Sequence, residues 1–259
     1  MKKAIEKIKN GEALLPTEWQ QLLLGYHKLN PGTTPKIFED FKNSEGLNSY
    51  ELLAKQIKKE RSSSLEVLEI GCGNGTLSKY FTASVDEFDK YIGIDISSDQ
   101  IDMAKKHYTK SNIFFRVADS GNLPYENEQF DFVISHLNFM LLNPVEESLL
   151  QIDRVLKNNG YFLAVVNSKK IKDNFFRNVL IAIGKYISRK YPNFRIKNGG
   201  NPNTMNREGL EILLKDFPRM STNLEVMEHE FKRKMTAESF WSFIESMYNI
   251  FCLPTDYKN

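Results

Sequence analysis

Leu65-Glu-Val-Leu-Glu-Ile-Gly-Cys-Gly-Asn-Gly75 decides the architecture, because an apolar, branched run of strand character passes directly into three glycines at every second position. Glycine there lets the backbone turn sharply and lie close against a ligand. Towards the C-terminus, short apolar runs alternate with amphipathic segments as far as Asn167. The strand candidates are Leu65 to Ile70, Tyr91 to Ile94, Ile113 to Val117, Phe130 to Ser135 and Tyr161 to Val166, with helical patterns such as Ser98 to Tyr108 and Pro144 to Leu156 between them. Strands that are apolar on both faces and separated by helices form βαβ units, so the expected fold is a doubly wound α/β domain with a mostly parallel sheet.

Outside residues 63–168 the period changes. Residues 1–62 read as an N-terminal helical cap. Pro16-Thr17 opens a run through Leu22, Leu23 and Tyr26 that Asn30-Pro31-Gly32 closes, and a second helix starts at Ser49, its cap candidate, with Tyr50, Leu52, Leu53 and Ile57 at helical spacing. A charged stretch and the serine run at 62–64 then act as a joint. Residues 169–205 place Ile171, Phe175, Val179, Ile183 and Tyr186 on one helical stripe before a loop from Asn198 to Asn203, which reads as an inserted lid. Residues 206–259 are read as the C-terminal part of the α/β domain: a helix over Asn206–Phe217, a strand over Leu224–Phe231 and an aromatic-rich helix over Ala237–Ile250.

The 259 residues carry 41% hydrophobic, 12% aromatic and 26% charged side chains, a globular composition that excludes disordered, collagen-like and disulfide-dense classes. Two cysteines are too few for a disulfide framework or a cysteine-built zinc site. No apolar run approaches the roughly 18 residues of a membrane span, and the charged start MKKAIEKIKN lacks the apolar run of a signal peptide, so a cytoplasmic protein is expected. The net charge of +2 predicts no polyanionic partner, but residues 169–197 hold nine basic side chains against Asp173 alone.

The glycines are spaced G-x-G-x-G, and Thr76 stands where a dinucleotide fingerprint needs its third glycine. Glu69 ends the first strand two residues before the loop, where a carboxylate would repel a pyrophosphate and stabilise a cationic ligand. Asp95 ends the second strand, about 20 residues on, where a carboxylate can accept from both hydroxyls of a ribose. Asp119 follows the third strand and could accept from an exocyclic amine. Each acid alone would read as a solvated strand-end charge, and the loop alone as a tight turn. Together they mark the carboxyl edge at which open α/β sheets bind ligands.

On these residues the segment resembles the cofactor-binding half of class I S-adenosylmethionine-dependent methyltransferases. Glu69-x-Gly71-x-Gly73-x-Gly75 matches the first family motif and Tyr91-Ile-Gly-Ile-Asp95-Ile-Ser the second. Asp119 with Leu123-Pro124 and Phe130-Asp131-Phe-Val-Ile-Ser135, and Arg154-Val-Leu-Lys-Asn-Asn-Gly160, match two more. The resemblance implies that Glu69 and the loop Gly71-Cys72-Gly73-Asn74-Gly75 hold the methionine part, Asp95 the ribose and Asp119 the adenine amine, with Ile96 and the Ser120 backbone flanking the ring. His136 would contact the methionine part and face the methyl acceptor; Tyr50 would touch either, or serve as a helix-core residue. S-adenosylhomocysteine would be the product. The family sheet ends in a further hairpin, whereas here only a helix and the tail from Leu253 follow Leu224–Phe231, so the seventh strand is absent or the chain stops before it.

Methyl transfer from a sulfonium is an in-line displacement, which needs alignment, water exclusion and, for some acceptors, a base. His136 is the candidate base, with cofactor contact or packing as its alternative; His27, His107 and His229 show no metal-ligand spacing, and no catalytic metal is expected. Ser135-His136-Leu137-Asn138 is not the Asn- or Asp-Pro-Pro-aromatic sequence of nucleic-acid amino-methyltransferases, which disfavours that class. The aromatic set Phe139, Phe175, Phe176, Tyr186, Phe240, Trp241 and Tyr248 fits an apolar acceptor pocket or core packing. The expected function is methyl transfer to a small molecule, acidic or aromatic, at O, N or C. The alternatives are an RNA or protein methyltransferase that uses the basic lid and a non-catalytic adenosyl-binding module.

Overall fold

The two strands at the centre of the parallel sheet are buried on both faces: Val67, Leu68, Glu69 and Ile70 of the first and every residue of Phe130–His136 lie below the surface. The computed structural model describes residues 1–60, 65–168, 170–197 and 199–253; the serine run, Lys169, Asn198 and the tail from Pro254 fall outside the described residues. Its elements run α1 (Lys2–Asn10), α2 (Pro16–Leu29), α3 (Thr33–Phe38), α4 (Ser49–Glu60), β1 (Glu66–Ile70), α5 (Thr76–Ser84), β2 (Lys90–Asp95), α6 (Ser98–His107), β3 (Ile113–Val117), β4 (Phe130–His136), α7 (Val145–Val155), β5 (Leu156–Val165), α8 (Asn174–Lys190), α9 (Arg207–Leu214), α10 (Pro218–Ser221), α11 (Ala237–Glu245) and α12 (Tyr248–Phe251).

The chain divides into two units. One, residues 31–167 and 201–234, holds the sheet, and the other gathers residues 1–30, 168–200 and 235–259. The segment read as one helical cap is thus divided, with α3 and α4 in the sheet unit.

In the sheet unit all five strands are parallel in the order β3-β2-β1-β4-β5. The chain winds outward from β1 to β3 and returns to β4 on the other side of β1, so the order reverses between β1 and β4 and opens a crevice at their carboxyl ends. Each face carries its own core. Val67, Tyr91, Phe115, Phe132 and Ile134 pack with Leu53 and Ile57 of α4, Leu77 and Phe81 of α5, and Ile101 and Ala104 of α6. Leu68, Ile70, Ile92, Ile94 and Val133 pack with Leu149, Ile152 and Val155 of α7 and with Leu214, Phe217 and Met220. Each such side chain contributes about 1.5–3 kcal/mol of burial, which is why the strand runs are apolar on both sides. Arg154 of α7 donates to the carbonyls of Leu123 (2.8 Å) and Tyr125 (2.7 Å) and so fastens the loop that follows Asp119.

The strand expected over Leu224–Phe231 does not form. The segment is extended, Met227, Glu228, His229 and Glu230 face solvent, and its next residue, Lys232, pairs antiparallel with Lys42 ahead of α4. Its alternating pattern lacks the apolar layer that would hold one face, since Val226 and Phe231 are only partly covered. The helix expected over Ala237–Ile250 is broken at Ser246 into α11 and α12.

The second unit packs aromatic side chains. The Tyr26 ring lies 4.4 Å from Tyr248 and 5.1 Å from Phe251, and its hydroxyl donates to the Ser246 carbonyl at 2.6 Å. Phe176 of α8 meets Phe240 and Phe243 of α11 at 6.2 and 5.7 Å. Arg195 N–H to the Ile8 carbonyl, and Leu14 N–H to that of Lys197, tie the segment after α8 to the N-terminal helices. Of the aromatic set read from the sequence, Phe139 sits in the sheet unit's core and the rest in this unit.

Candidate functional site

The turn after β1 is built on one acceptor, the Ile94 carbonyl, which takes the N–H of Gly71 at 2.8 Å and of Cys72 at 2.9 Å. From there the backbone adopts positive φ at Gly71 (71°), Gly73 (53°) and Gly75 (82°). The three glycines answer different demands. A Cβ at Gly71 would fall 2.1 Å from the Asn138 side chain, and one at Gly75 would fall 2.9 Å from both Phe115 and Tyr108. At Gly73 it would make only an ordinary contact, with Gln100 Oε1 at 3.7 Å, so this stretch of backbone is not crowded by its neighbours. Gly75 then caps α5, its carbonyl accepting from the Ser78 hydroxyl at 2.8 Å.

Asp95 braces the loop. Its Oδ2 accepts from Gly73 N–H and its Oδ1 from Ser97 N–H, both at 2.9 Å, which orients a part-buried carboxylate beside the turn. Ile96 follows it, also partly exposed. The Asp95 carbonyl accepts from Ala118 N–H at 3.1 Å, so the ends of β2 and β3 are tied together. Asp119 lies exposed at that end, with Oδ1 accepting from Gly121 N–H at 2.9 Å, while Ser120 is buried and shares a 2.8 Å hydrogen bond with Ser148. Asn74 Oδ1 accepts from the Thr76 hydroxyl at 2.7 Å, and Cys72 is buried with its thiol pushed up by desolvation.

Glu69 lies beneath this layer, 2% exposed, with Oε2 accepting from the Tyr91 hydroxyl at 2.5 Å. The register explains the pair: Glu69 stands opposite Gly93, and Tyr91 is two residues back on the same face of β2. Burial raises the Glu69 carboxyl to about 8 against the pull of the Tyr91 hydrogen bond, and nearby Asp95 adds to the rise. Glu69 is therefore largely protonated at neutral pH, and a cation brought against it would favour its ionised form.

His136 ends β4 and is buried. Its Nε2 is 2.8 Å from the Ser49 hydroxyl, its ring stacks on Tyr50 at 3.8 Å, and Tyr50 stacks in turn on Tyr80 at 5.5 Å. Desolvation lowers the imidazole to about 3, so the ring is neutral. Ser49 can reach it because Asn48 caps α4 instead. The Asn48 side chain accepts from Glu51 N–H at 2.8 Å and Glu51 returns the bond to Asn48 N–H at 2.7 Å. The sequence reading assigned the cap to Ser49, one residue late.

The carboxyl edge thus gathers Gly71 to Gly75, Asp95, Ile96, Asp119 and Ser120, with Glu69 below them, His136 at the end of β4 and Tyr50 stacked on it. Sequence reasoning missed Tyr91, Asn138 and Ser49. Tyr91 carried a signal, since a tyrosine in a doubly buried strand needs a partner for its hydroxyl; Asn138 and Ser49 carried none, because their roles depend on tertiary contacts. Among the described residues no group of three or more His, Cys, Asp or Glu could hold a metal, and no helix is long and apolar enough to cross a membrane.

Comparison with known proteins agrees with this geometry. Residues 68–164 match the family model described as a methyltransferase domain. A fatty-acid O-methyltransferase of Mycolicibacterium smegmatis is 29% identical over 139 residues, which are 54% of this chain and 49% of that protein. The phthiotriol/phenolphthiotriol dimycocerosates methyltransferase of Mycobacterium tuberculosis is 28% identical over 137 residues, 53% of this chain and 49% of that one. The chain spans about half the length of these relatives. Among solved structures, a complex of a methyltransferase activator with a methyltransferase from Haloferax volcanii aligns over 74% of each chain with a TM-score of 0.50 and 16% identity, a likeness of fold. The match of residues 68–164 to a methyltransferase domain, with the mycobacterial relatives and the likeness of fold, supports a class I S-adenosylmethionine-dependent methyltransferase.

Proposed function

We propose that the chain transfers the methyl group of S-adenosylmethionine to a small-molecule acceptor. The observation that carries this reading is Asp95 braced by the backbone of its own glycine turn, beside a Gly73 whose only near neighbour on its Cβ side is Gln100 Oε1. An adenosyl sulfonium fits these residues: Asp95 can accept from ribose hydroxyls, Asp119 from an exocyclic amine, and the Gly71 to Gly75 backbone allows close approach. When bound, the sulfonium supplies an activated methyl carbon.

The chain's own residues then have three tasks. Asp95 and the turn fix the ligand's orientation, which removes rotational freedom before the reaction. Glu69 ionises if the ligand brings positive charge, and so gives a counter-charge that desolvation withholds beforehand. Neutral His136, held by Ser49 and stacked on Tyr50, supports a role in contacting the ligand and shaping the acceptor side. With its basicity so reduced it is a weak proton acceptor, and a His136→Ala chain that turns over normally with normal cofactor affinity would exclude that role. The names of the mycobacterial relatives support a lipid-like acceptor with a nucleophilic oxygen.

Calorimetry with S-adenosylmethionine and S-adenosylhomocysteine tests the pocket, and transfer of labelled methyl to fatty acids and hydroxylated lipids tests the acceptor. Asp95→Ala is expected to weaken both ligands about 10- to 100-fold, because hydrogen bonds to a charged group are worth about 1.5–3 kcal/mol. An unmodified chain that binds neither compound would overturn the proposal.

A further inference from the structure

Helix α8 does not confine its apolar residues to its packed side. Phe176, Val179, Leu180, Ile183 and Ile187 face inward, yet Phe175 is 68% exposed, Tyr186 50% and Ile181 49%. Phe175 and Tyr186 are three helical turns apart and therefore lie on one line of the surface. The Phe175 ring touches Phe240 of α11 at 5.5 Å, and the next residue of α11, Trp241, is itself half-exposed. Cations accompany this ridge: Lys185 and Arg189 are exposed, and the Lys190 ammonium lies 5.9 Å from the Tyr186 ring. Residues 174–190 contain no acid at all.

A helix side in contact with water alone normally carries polar residues, and clustered exposed aromatics mark a surface that binds something. Aromatic rings that seat at headgroup level, beside lysine and arginine that meet anionic headgroups, are the two requirements of an interfacial helix. RNA would answer the cations and stacking rings, but not exposed Ile181. We propose that α8, together with Trp241, docks this chain on an anionic lipid bilayer. The proposal stands whatever the methyl acceptor.

The test uses the full chain with vesicles of phosphatidylcholine alone and of equal parts phosphatidylcholine and phosphatidylglycerol. The chain should sediment with the mixed vesicles, less so as salt is raised, and remain in solution with the neutral ones. Tryptophan emission should shift to the blue on docking, through Trp241, since Trp19 is already buried; Trp241→Phe should abolish the shift. Lys185→Gln with Arg189→Gln should lower the partition coefficient about 25-fold, roughly fivefold per charge near the surface. Tyr186→Ser, at an exposed position, should weaken binding to mixed vesicles while cooperative unfolding persists. Failure to sediment with mixed vesicles, equal retention of the substituted chains, or salt-sensitive binding to an RNA oligonucleotide through the same residues without vesicle binding would each overturn the proposal.

Discussion

Replacing Glu69 with Gln isolates the ionisation that the buried carboxyl resists. In the folded chain that group holds its proton up to about 8, against an ordinary value of 4.5. Between those values the folded state keeps a proton that the unfolded state has lost, so stability falls as pH rises, by about 1.4 kcal/mol per unit. Gln offers the Tyr91 hydroxyl the same carbonyl acceptor and never ionises. Its advantage over the native chain should therefore grow by roughly 2.7 kcal/mol between pH 5.5 and 7.5. The native chain alone would not reveal the slope at the acidic end, because His136 acts in the opposite sense: lowered to about 3, it favours the fold less as pH drops below its unfolded value of 6.5. Comparing the two proteins at each pH removes that contribution. The assay is urea unfolding followed by tyrosine circular dichroism. A difference in unfolding free energy that stays constant across the range would refute the argument that Glu69 is neutral in the fold.

The glycines of the turn should separate by mechanism. Gly71→Ala sets a methyl against Asn138 as well as straining a φ of 71°, so it should destabilise by more than about 2 kcal/mol, whereas Gly73→Ala makes only an ordinary contact with Gln100 and strains a φ of 53°, and should cost about 1 kcal/mol, read by thermal melts. His136→Phe keeps a ring for Tyr50 but cannot be protonated. Relative to it, the native chain should lose roughly 2.3 kcal/mol between pH 6.5 and 4.5, and parallel pH profiles would show that His136 is not buried neutral.

What could be read from the sequence follows from how local each determinant is. The strand Glu66–Ile70 is apolar on both faces because both faces are covered, and the three glycines are required by backbone angles within five residues, so both announce themselves. Asp95 and Asp119 were legible because a strand end places its following acid at the sheet edge regardless of packing. Leu224–Phe231 misled because alternation describes a strand's faces but not its neighbour, and the neighbour here is the loop at Lys42. Ser49 illustrates the other limit: a one-residue shift of the cap to Asn48 redirects its hydroxyl to a histidine 87 positions away.

The partition of the chain also confines both of its indoles to one unit. Both indoles, Trp19 and Trp241, belong to the helical unit, while the stacked column of Tyr50, Tyr80 and His136 belongs to the other. Denaturation followed by indole fluorescence therefore records the fate of the helices alone, and a midpoint so obtained is no measure of the glycine turn. The tyrosine signal, to which both units contribute, would depart from that curve if the two melted separately, and coincidence is the outcome expected of one cooperative body.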